Sequence, residues 1–511
     1  MIPLTLGEIA SITGGHLVDG ATAATVVSGS VEFDSRNITE GSLFICLPGV
    51  RVDGHDFAGI AIEQGAVACI EGHRTGQPAI LVEPDDSGEL SDSASSYVLE
   101  ADTTGEGQAV ITALSKLARA HTALAVEKHG LTVIGVTGSA GKTSTKDLIA
   151  SVVGQAGETV APPGSFNNEL GHPYTALKVG PKTTFLVSEL SARSIGNIAH
   201  LARIAPPRIG AVLNVGTAHI GEFGSKENIA LAKGELVEAL PSAADGGVAV
   251  LNADDPLVIG MAPRTQAKIL TFGVENDADV RATDVELDPV ARVGFTLRIK
   301  GEKPRRIQLR VFGRHQVYNA LAAAAVGYAA GLDSETIADA LSEHVSPSEY
   351  RMDVRTRGDG VTVINDSYNA NPDSMRAGID ALSYTAAGRD NAHSWAVLGS
   401  MGELGEDSLT EHAALAEVLS NRHVDYLVAV GDNPAMETLA REARRYDINT
   451  EVVSTTEEAA DIVLRHLKPH DVVLVKASNA CGLWAVAHRL LSAEEATGAE
   501  NQEDTHSREV K

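Results

Sequence analysis

From residue 131 onward the chain repeats one pattern: a short apolar run, a turn rich in Gly, Asp or Asn, then a helix-length segment. Runs at 131–136, 184–187, 209–215 and 247–251 each lead into such a segment. Strands joined in this way pair in parallel, with helices covering the sheet faces, so the middle of the chain is restricted to an α/β architecture. The alternation returns at 361–364, 395–398, 426–430, 451–453 and 471–475, which predicts a second, Rossmann-like unit beginning near Pro347. Between the two series, 293–311 alternates evenly and predicts an antiparallel extension, while 315–330 predicts a buried helix.

The chain has 511 residues, too many for one core, and domains of roughly 150 residues imply about three. The first hundred residues alternate short apolar runs with Gly and Asp turns, as in a small α/β domain, and end in a polar stretch before a helical pattern at 109–128. The expected division is 1–105, 106–346 and 347–492, followed by a polar, acidic and disordered tail at 493–511. Acidic residues outnumber basic ones by 68 to 41, giving a net charge of −27, so nucleic acid is excluded as a partner on electrostatic grounds. Cys46, Cys69 and Cys481 are odd in number and lack metal-ligand spacing, as expected in a reducing compartment. The N-terminus shows no basic region followed by an apolar stretch, and the apolar run 320–330 is too short to cross a bilayer. These features predict a cytoplasmic chain without membrane insertion, and nothing in them requires more than a monomer.

The strand at 131–136 runs into Thr137-Gly138-Ser139-Ala140-Gly141-Lys142-Thr143-Ser144 and then into a helical segment. Glycines let backbone N–H groups face an anion, and the helix N-terminus adds positive potential. Lys142 can reach terminal phosphates, and the Thr143 hydroxyl can ligate Mg²⁺. The cradle is a shortened one, because Val136 stands where the longer phosphate loop has its first glycine. Glu189 closes the apolar run 184–187 and should reach the C-terminal rim of the sheet, beside this loop, where a carboxylate can hold Mg²⁺. Asn214 and His219 follow the next strand and offer further metal-capable groups on the same edge. Lys233 lies among Leu231, Ala232 and Gly234, a setting that predicts a partly buried amine with a lowered pKa.

Together these stretches resemble the Mur ligases, the ATP-dependent amino-acid ligases of peptidoglycan precursor synthesis. The phosphate loop is similar to their first signature, and Asn214-Val215-Gly216-Thr217-Ala218-His219 with Ala232-Lys233-Gly234-Glu235 resembles the second. Gly313-Arg314-His315-Gln316-Val317-Tyr318-Asn319 and Tyr350-Arg351-Met352 resemble the next two. Asp366-Ser367-Tyr368-Asn369-Ala370-Asn371-Pro372-Asp373-Ser374-Met375 and Leu398-Gly399-Ser400-Met401-Gly402-Glu403 look like the form found in the member that adds D-alanyl-D-alanine to UDP-N-acetylmuramoyl-tripeptide. Asp34-Ser35-Arg36 resembles the uridine-nucleotide domain, and Phe166-Asn167-Asn168-Glu169 the loop that approaches the muramyl peptide.

The resemblance implies three domains: an N-terminal UDP-binding α/β domain, a central P-loop ATPase domain with a parallel sheet, and a C-terminal Rossmann-like domain. It implies ATP and Mg²⁺, and a carboxylate activated as an acyl phosphate and attacked by the dipeptide amine. Lys142, Lys233, His219 and Glu189 would serve catalysis; Thr143, Glu189, His219 and a carbamylated Lys233 would surround the metal. Asn319 and Asp366 would contact the nucleoside, Arg351 the phosphate, and Ser35, Arg36, Asn167 and Asn168 the muramoyl substrate. Two positions depart from the family pattern: Lys476-Ala477-Ser478-Asn479 replaces a usual Lys-Gly-Ser-Arg, and Asn365 replaces a common aspartate.

Three alternatives compete with this reading. The diamino-acid-adding Mur ligase carries an Asp-Asn-Pro-Arg signature, which here reads Asp432-Asn433-Pro434-Ala435 without the arginine. Folylpolyglutamate synthetases share the ATP domain but have no need of the front domain. A P-loop regulatory protein would hydrolyse ATP without any peptide.

Overall fold

The computed structural model describes residues 1–49, 52–84, 102–216, 220–288, 291–345, 347–348, 350–402 and 404–493. The acidic stretch expected to be disordered therefore lies, from 494 onward, outside the described residues. Among the described residues, no helix is long and apolar enough to cross a membrane.

The middle of the chain builds a nine-stranded sheet, with Thr132–Thr137 flanked by Phe185–Glu189 on one side and Ile209–Val212 on the other. Both pairings are parallel, and the chain next continues outward through Val248–Asn252 and Lys268–Gly273. Thr132–Thr137 is thus where the strand order changes direction, and the crevice outside its C-terminal end is the expected ligand position in such a sheet. The stretch that alternates evenly forms two antiparallel strands, Arg292–Ile299 and Arg305–Phe312, attached through Val280–Leu287. The helix Gln316–Ala329 packs beneath them, buried along almost its whole length because nine of its residues are Ala, Gly or Val and leave room for close approach.

The third unit is a six-stranded sheet in which Thr362–Asn365, Val472–Lys476, Ser394–Leu398, Tyr426–Val430 and Asn449–Val453 are parallel, with Asp353–Thr356 as an antiparallel edge. The first unit has five short strands, mostly parallel, from Val31–Glu32 to His16–Val18. Its apolar interior does not close on itself. Leu6 and Ile9 share one cluster with Val110, Leu114 and Leu117 of the helix Glu106–His129 and with Leu186 and Leu236 of the middle unit. That 24-residue helix is apolar on both the faces it presents, and so it joins the first core to the second.

Candidate active site

The loop after Thr132–Thr137 enters the helix Lys142–Val153 through Gly141, whose φ of +82° lies in the left-handed region. A Cβ there would also sit 2.5 Å from Asn319 Oδ1, so glycine is required both by conformation and by the approach of Asn319. Asn214 braces the loop: its Oδ1 accepts the N–H groups of Ser139 (3.0 Å) and Ala140 (2.9 Å), and its Nδ2 donates to the Ala140 carbonyl (3.1 Å). Asn214 therefore shapes the phosphate loop rather than standing ready for a metal, a correction to the sequence expectation. Thr137 likewise spends its hydroxyl on the Leu190 carbonyl (2.9 Å). Lys142 Nζ donates to the Gly138 carbonyl at 2.8 Å and so lies folded over the loop. The first-turn N–H groups of the helix have no intrahelical acceptor and face the same space, an arrangement suited to an anion.

Around this loop lies a cavity of about 440 Å³ whose walls come from the middle and third units. Ser139, Ala140, Gly141, Lys142, Thr143 and Ser144 line one end. Glu189 is 1% exposed; its Oε1 accepts from Asn167 Nδ2 at 2.7 Å, while its Oε2 is buried without a hydrogen-bond partner. A buried carboxylate oxygen left unpaired is costly, and a hard cation is the natural partner for it. Thr143 Oγ1 shares a hydrogen bond with Ser165 Oγ at 2.9 Å, and Arg351 Nη2 donates to the same Ser165 oxygen at 2.8 Å. Arg351 also lies over the Tyr368 ring, 4.4 Å from its centroid. Its neighbours Tyr350 and Met352 both have φ in the left-handed region, at +59° and +52°. Such a conformation costs on the order of 1 kcal/mol per residue, and the Tyr350 ring stacks on that of Trp484 with centroids 6.0 Å apart.

Asp366 is fixed from two sides, by the Met352 N–H (3.2 Å) and by Lys476 Nζ (2.6 Å), an ammonium that also donates to the Asn369 carbonyl (2.8 Å) and is 1% exposed. Asn319, 5% exposed, donates to Gln316 Oε1 (2.9 Å) and separates the main cavity from a second of about 620 Å³ lined by Asn252, Asp254 and Tyr318. Lys233 is buried in the helix Lys226–Glu238, and burial, with the charge of Lys142 near it, drives its pKa well below the usual lysine value.

The expected site residues are thus brought together unequally. Lys142, Thr143, Glu189, Asn167, Asn168, Asn319, Arg351 and Asp366 share the main cavity. Lys233 lies in its neighbourhood without lining it, and His219 lies outside the described residues. Ser35 and Arg36 do not line it: Arg36 has a side chain 86% exposed and pairs with Asp34 at 2.6 Å. Their unit reaches the substrate loop through Phe33, which packs against Phe166 (6.4 Å) and Tyr174 (4.8 Å), and through Glu32, which accepts from Tyr174 Oη (2.8 Å). Ser165 and Lys476 carry structural weight that the sequence did not assign. Only their positions, next to Phe166-Asn167 and at the start of the departing run, could have drawn attention to them.

A parallel sheet with a phosphate loop at its switch point, facing a second α/β unit across a polar cavity, defines a nucleotide-binding enzyme of the ligase type. Family models match in three parts: Mur ligase family, catalytic domain over residues 29–93; Mur ligase middle domain over 136–327; and Mur ligase, glutamate ligase domain over 350–479. The chain belongs to the Mur ligase family. It is 48% identical over 510 residues to the UDP-N-acetylmuramoyl-tripeptide–D-alanyl-D-alanine ligase of Mycobacterium tuberculosis (strain ATCC 25618 / H37Rv), covering 96% of this chain and 98% of that protein. Among solved structures, it resembles the UDP-N-acetylmuramoylalanyl-D-glutamyl-2,6-diaminopimelate–D-alanyl-D-alanyl ligase of Acinetobacter baumannii, with a TM-score of 0.77 and 26% identity over 96% of this chain and 99% of that one. It also resembles the MurF ligase of Thermotoga maritima in complex with ADP, with a TM-score of 0.73 and 28% identity over 92% and 99%.

Proposed function

We propose that the chain is an ATP-dependent ligase that joins D-alanyl-D-alanine to UDP-N-acetylmuramoyl-tripeptide, giving UDP-N-acetylmuramoyl-pentapeptide, ADP and phosphate in peptidoglycan precursor synthesis. The observation that carries this reading is the single cavity in which the phosphate loop of the middle unit meets Arg351 and Asp366 of the third. The names and near full-length similarity of the relatives support the substrates. The diamino-acid alternative is disfavoured locally, because Asn433 caps the helix Pro434–Arg445 and the next position after the proline is a buried alanine, Ala435, not a carboxylate-binding arginine.

In this reading the terminal carboxylate of the tripeptide attacks the γ-phosphorus of ATP, forming an acyl phosphate and releasing ADP. The dipeptide amine then attacks the acyl carbon, loses a proton, and phosphate departs. Phosphoryl transfer depends on alignment and charge neutralisation. Lys142 and the helix N-terminus supply both at the phosphate loop, and Arg351 supplies a second cation from the opposite wall. Asn319 and Asp366 hold the nucleoside. Asn167 and Asn168 meet the peptide, while Ser35 and Arg36 meet the uridine-linked end. Thr143, Glu189, His219 and a carbamylated Lys233 are the residues to hold Mg²⁺, and the unpaired buried Oε2 of Glu189 fits a cation. When bound, the ion would neutralise phosphate charge. ATP and the UDP-linked peptide are water-soluble nucleotides and the dipeptide is a small polar molecule, which supports a cytoplasmic location.

Phosphate release should require ATP, the tripeptide and the dipeptide together, with a product heavier than the tripeptide by one dipeptide less water. Phosphate release indifferent to both peptides would overturn the ligase reading, and incorporation of a diamino acid into the dipeptide precursor would reassign the chain within the family.

A further inference from the structure

Lys476 is the last residue of the strand Val472–Lys476, which pairs in parallel with Thr362–Asn365 on one side and Ser394–Leu398 on the other. The register sets Val475 beside Asn365, and the Asp366 N–H donates to the Val475 carbonyl at 2.9 Å, so Lys476 and Asp366 leave adjacent strands side by side at the C-terminal rim. An ammonium is costly to bury unless its protons find acceptors. Lys476 is 1% exposed, and its Nζ donates to Asp366 Oδ2 (2.6 Å), to the Asn369 carbonyl (2.8 Å) and, at a longer 3.4 Å, to the Asp366 carbonyl. The aliphatic stem passes the helix Pro372–Ala387 at Gly378, where a Cβ would sit 3.0 Å from Lys476 Cδ.

Although Lys476 lines the main cavity, its three donors are spent on the protein, so it acts on a ligand through the groups it holds. Asp366 is the group with acceptor capacity to spare. Its Oδ2 takes Lys476 and its Oδ1 takes the Met352 N–H at 3.2 Å, one bond to each oxygen, whereas a carboxylate oxygen can accept two. These two bonds fix the plane of the carboxylate, and the side chain lines the cavity with 15% of its surface exposed.

We infer that Lys476 is a positioning residue for the nucleotide, holding Asp366 in the orientation that accepts hydrogen bonds from the ribose hydroxyl groups. The inference rests on the reading above, in which Asp366 contacts the nucleoside. A carboxylate accepts and does not donate, so in an adenine nucleoside its partners are the adenine amino group or the vicinal 2′- and 3′-hydroxyls, and only the hydroxyl pair engages both oxygens at once. That match is lost when the carboxylate turns about its side-chain bonds, and the Lys476 bond opposes the turn. The ammonium also balances a negative charge that would otherwise repel the triphosphate of the same ligand, in a cavity that already carries Glu169, Glu189 and Asp373.

The test uses the full chain with Lys476→Met, which keeps an unbranched stem and removes the charge, and three probes: ATP, 2′-deoxy-ATP and 3′-deoxy-ATP. In the wild type, calorimetric Kd should be about 10- to 100-fold higher for each deoxy nucleotide than for ATP, the range for one lost charge-assisted hydrogen bond. In Lys476→Met the Kd for ATP should rise by a similar factor, and the deoxy nucleotides should bind within about threefold of ATP, because the acceptor is no longer aimed at the hydroxyls. A lysine that only supports the fold would lower the denaturation midpoint and leave the ratio of deoxy nucleotide to ATP as in the wild type, and that result would overturn the inference. So would a wild type indifferent to both missing hydroxyls. Asp366→Asn and Asp366→Asn/Lys476→Met cover the case in which the single variant misfolds, since the pair leaves no unpaired buried charge. In the Asn background, Lys476→Met should change the ATP Kd by less than about twofold, and a further loss beyond that would also overturn the inference. A wild-type chain that does not bind ATP, or does not ligate the two peptides, would instead sink the ligase reading, so the two failures are distinguishable.

Discussion

Lys142 is the side chain on which the phosphate loop depends most directly. Its ammonium rests 2.8 Å from the Gly138 carbonyl, over the loop proposed to hold the phosphates. Lys142→Ala should lower kcat by about 10²- to 10³-fold, as for other removed groups that stabilise developing charge, and near-normal turnover in a phosphate-release assay would remove it from the chemistry. Lys233 has the opposite electrostatic problem. Burial and the nearby Lys142 charge both disfavour its ammonium form, so its pKa lies well below the ordinary value, which favours the neutral amine that can attack CO₂. A carbamate there would replace a buried cation near Lys142 by an anion. Lys233→Arg should be nearly inactive, and short carboxylates should restore part of the rate of Lys233→Ala; a fully active Arg variant would show that position 233 works as a cation. At this scale the sequence was most informative where chemistry requires a particular residue type at a fixed spacing, as in Gly141-Lys142-Thr143. It was silent on Ser165, because a serine that bridges Thr143 and Arg351 has no pattern of its own and becomes visible only when distant segments are brought together.

Elements were legible in proportion to their burial. The inner strands Thr132–Thr137, Phe185–Glu189, Ile209–Val212 and Val472–Lys476 are covered on both faces and therefore read as continuous apolar runs. Val280–Leu287 was missed because only Val280 and Ala282 of its eight residues are buried and Asp284 adopts a φ of +54° at a register shift, which interrupts the alternation. Strands of two or three residues, such as Val31–Glu32 and His16–Val18, are too short to show a period at all. Connections between elements were hidden as well, and one of them has a pH consequence. His172 sits in the helix Gly171–Ala176, and its Nε2–H donates to the Leu201 carbonyl of the helix Asn197–Ile204 at 3.0 Å. Burial lowers its pKa to about 4. In the unfolded chain a histidine protonates near pH 6.5, so between about pH 6.5 and 4 the unfolded state binds more protons and stability falls as pH falls. The loss from this group should be on the order of 3 kcal/mol across that window. Denaturant midpoints measured from pH 7 to pH 4 should decline, and less steeply in His172→Gln; parallel slopes would show that His172 does not contribute.

At the scale of the whole molecule, the three units divide the work by position. The first unit meets the others through Phe33, Glu32 and the helix Glu106–His129, while exposed Arg36 stands away from the main cavity. Arg36→Ala should accordingly raise KM for the uridine-linked substrate while leaving kcat nearly intact, and a collapsed kcat with unchanged KM would contradict that division. The second and third units meet differently. At the segment where the third begins, Ser348 Oγ donates to Asp147 Oδ2 (2.6 Å) and Arg351 reaches Ser165 (2.8 Å), both on or beside the phosphate-loop helix. Farther from this segment the units also meet, through Phe312 of the middle unit in the apolar cluster of the third, and where the Asp373 carboxylate lies against Gly216 at a spot that leaves no room for a side chain. The bonds at Ser348 and Arg351 lie where the third unit begins, so a rotation about this segment as a pivot would open the cavity while leaving them in place. If ATP and the acyl donor bind in the gap, as proposed, they would contact both walls and favour the closed arrangement over an open one, and by that difference alone they would shift the population toward it. Small-angle scattering should therefore give a smaller radius of gyration with a non-hydrolysable ATP analogue and the tripeptide than for the free chain, and each ligand alone should produce only part of the change. Asp373→Ala, which loosens the outer contact without touching the pivot, should expand the free chain more than the doubly liganded one. Profiles that superimpose with and without both ligands would mean that the cavity is preformed, and that substrate entry requires motion of loops rather than of units.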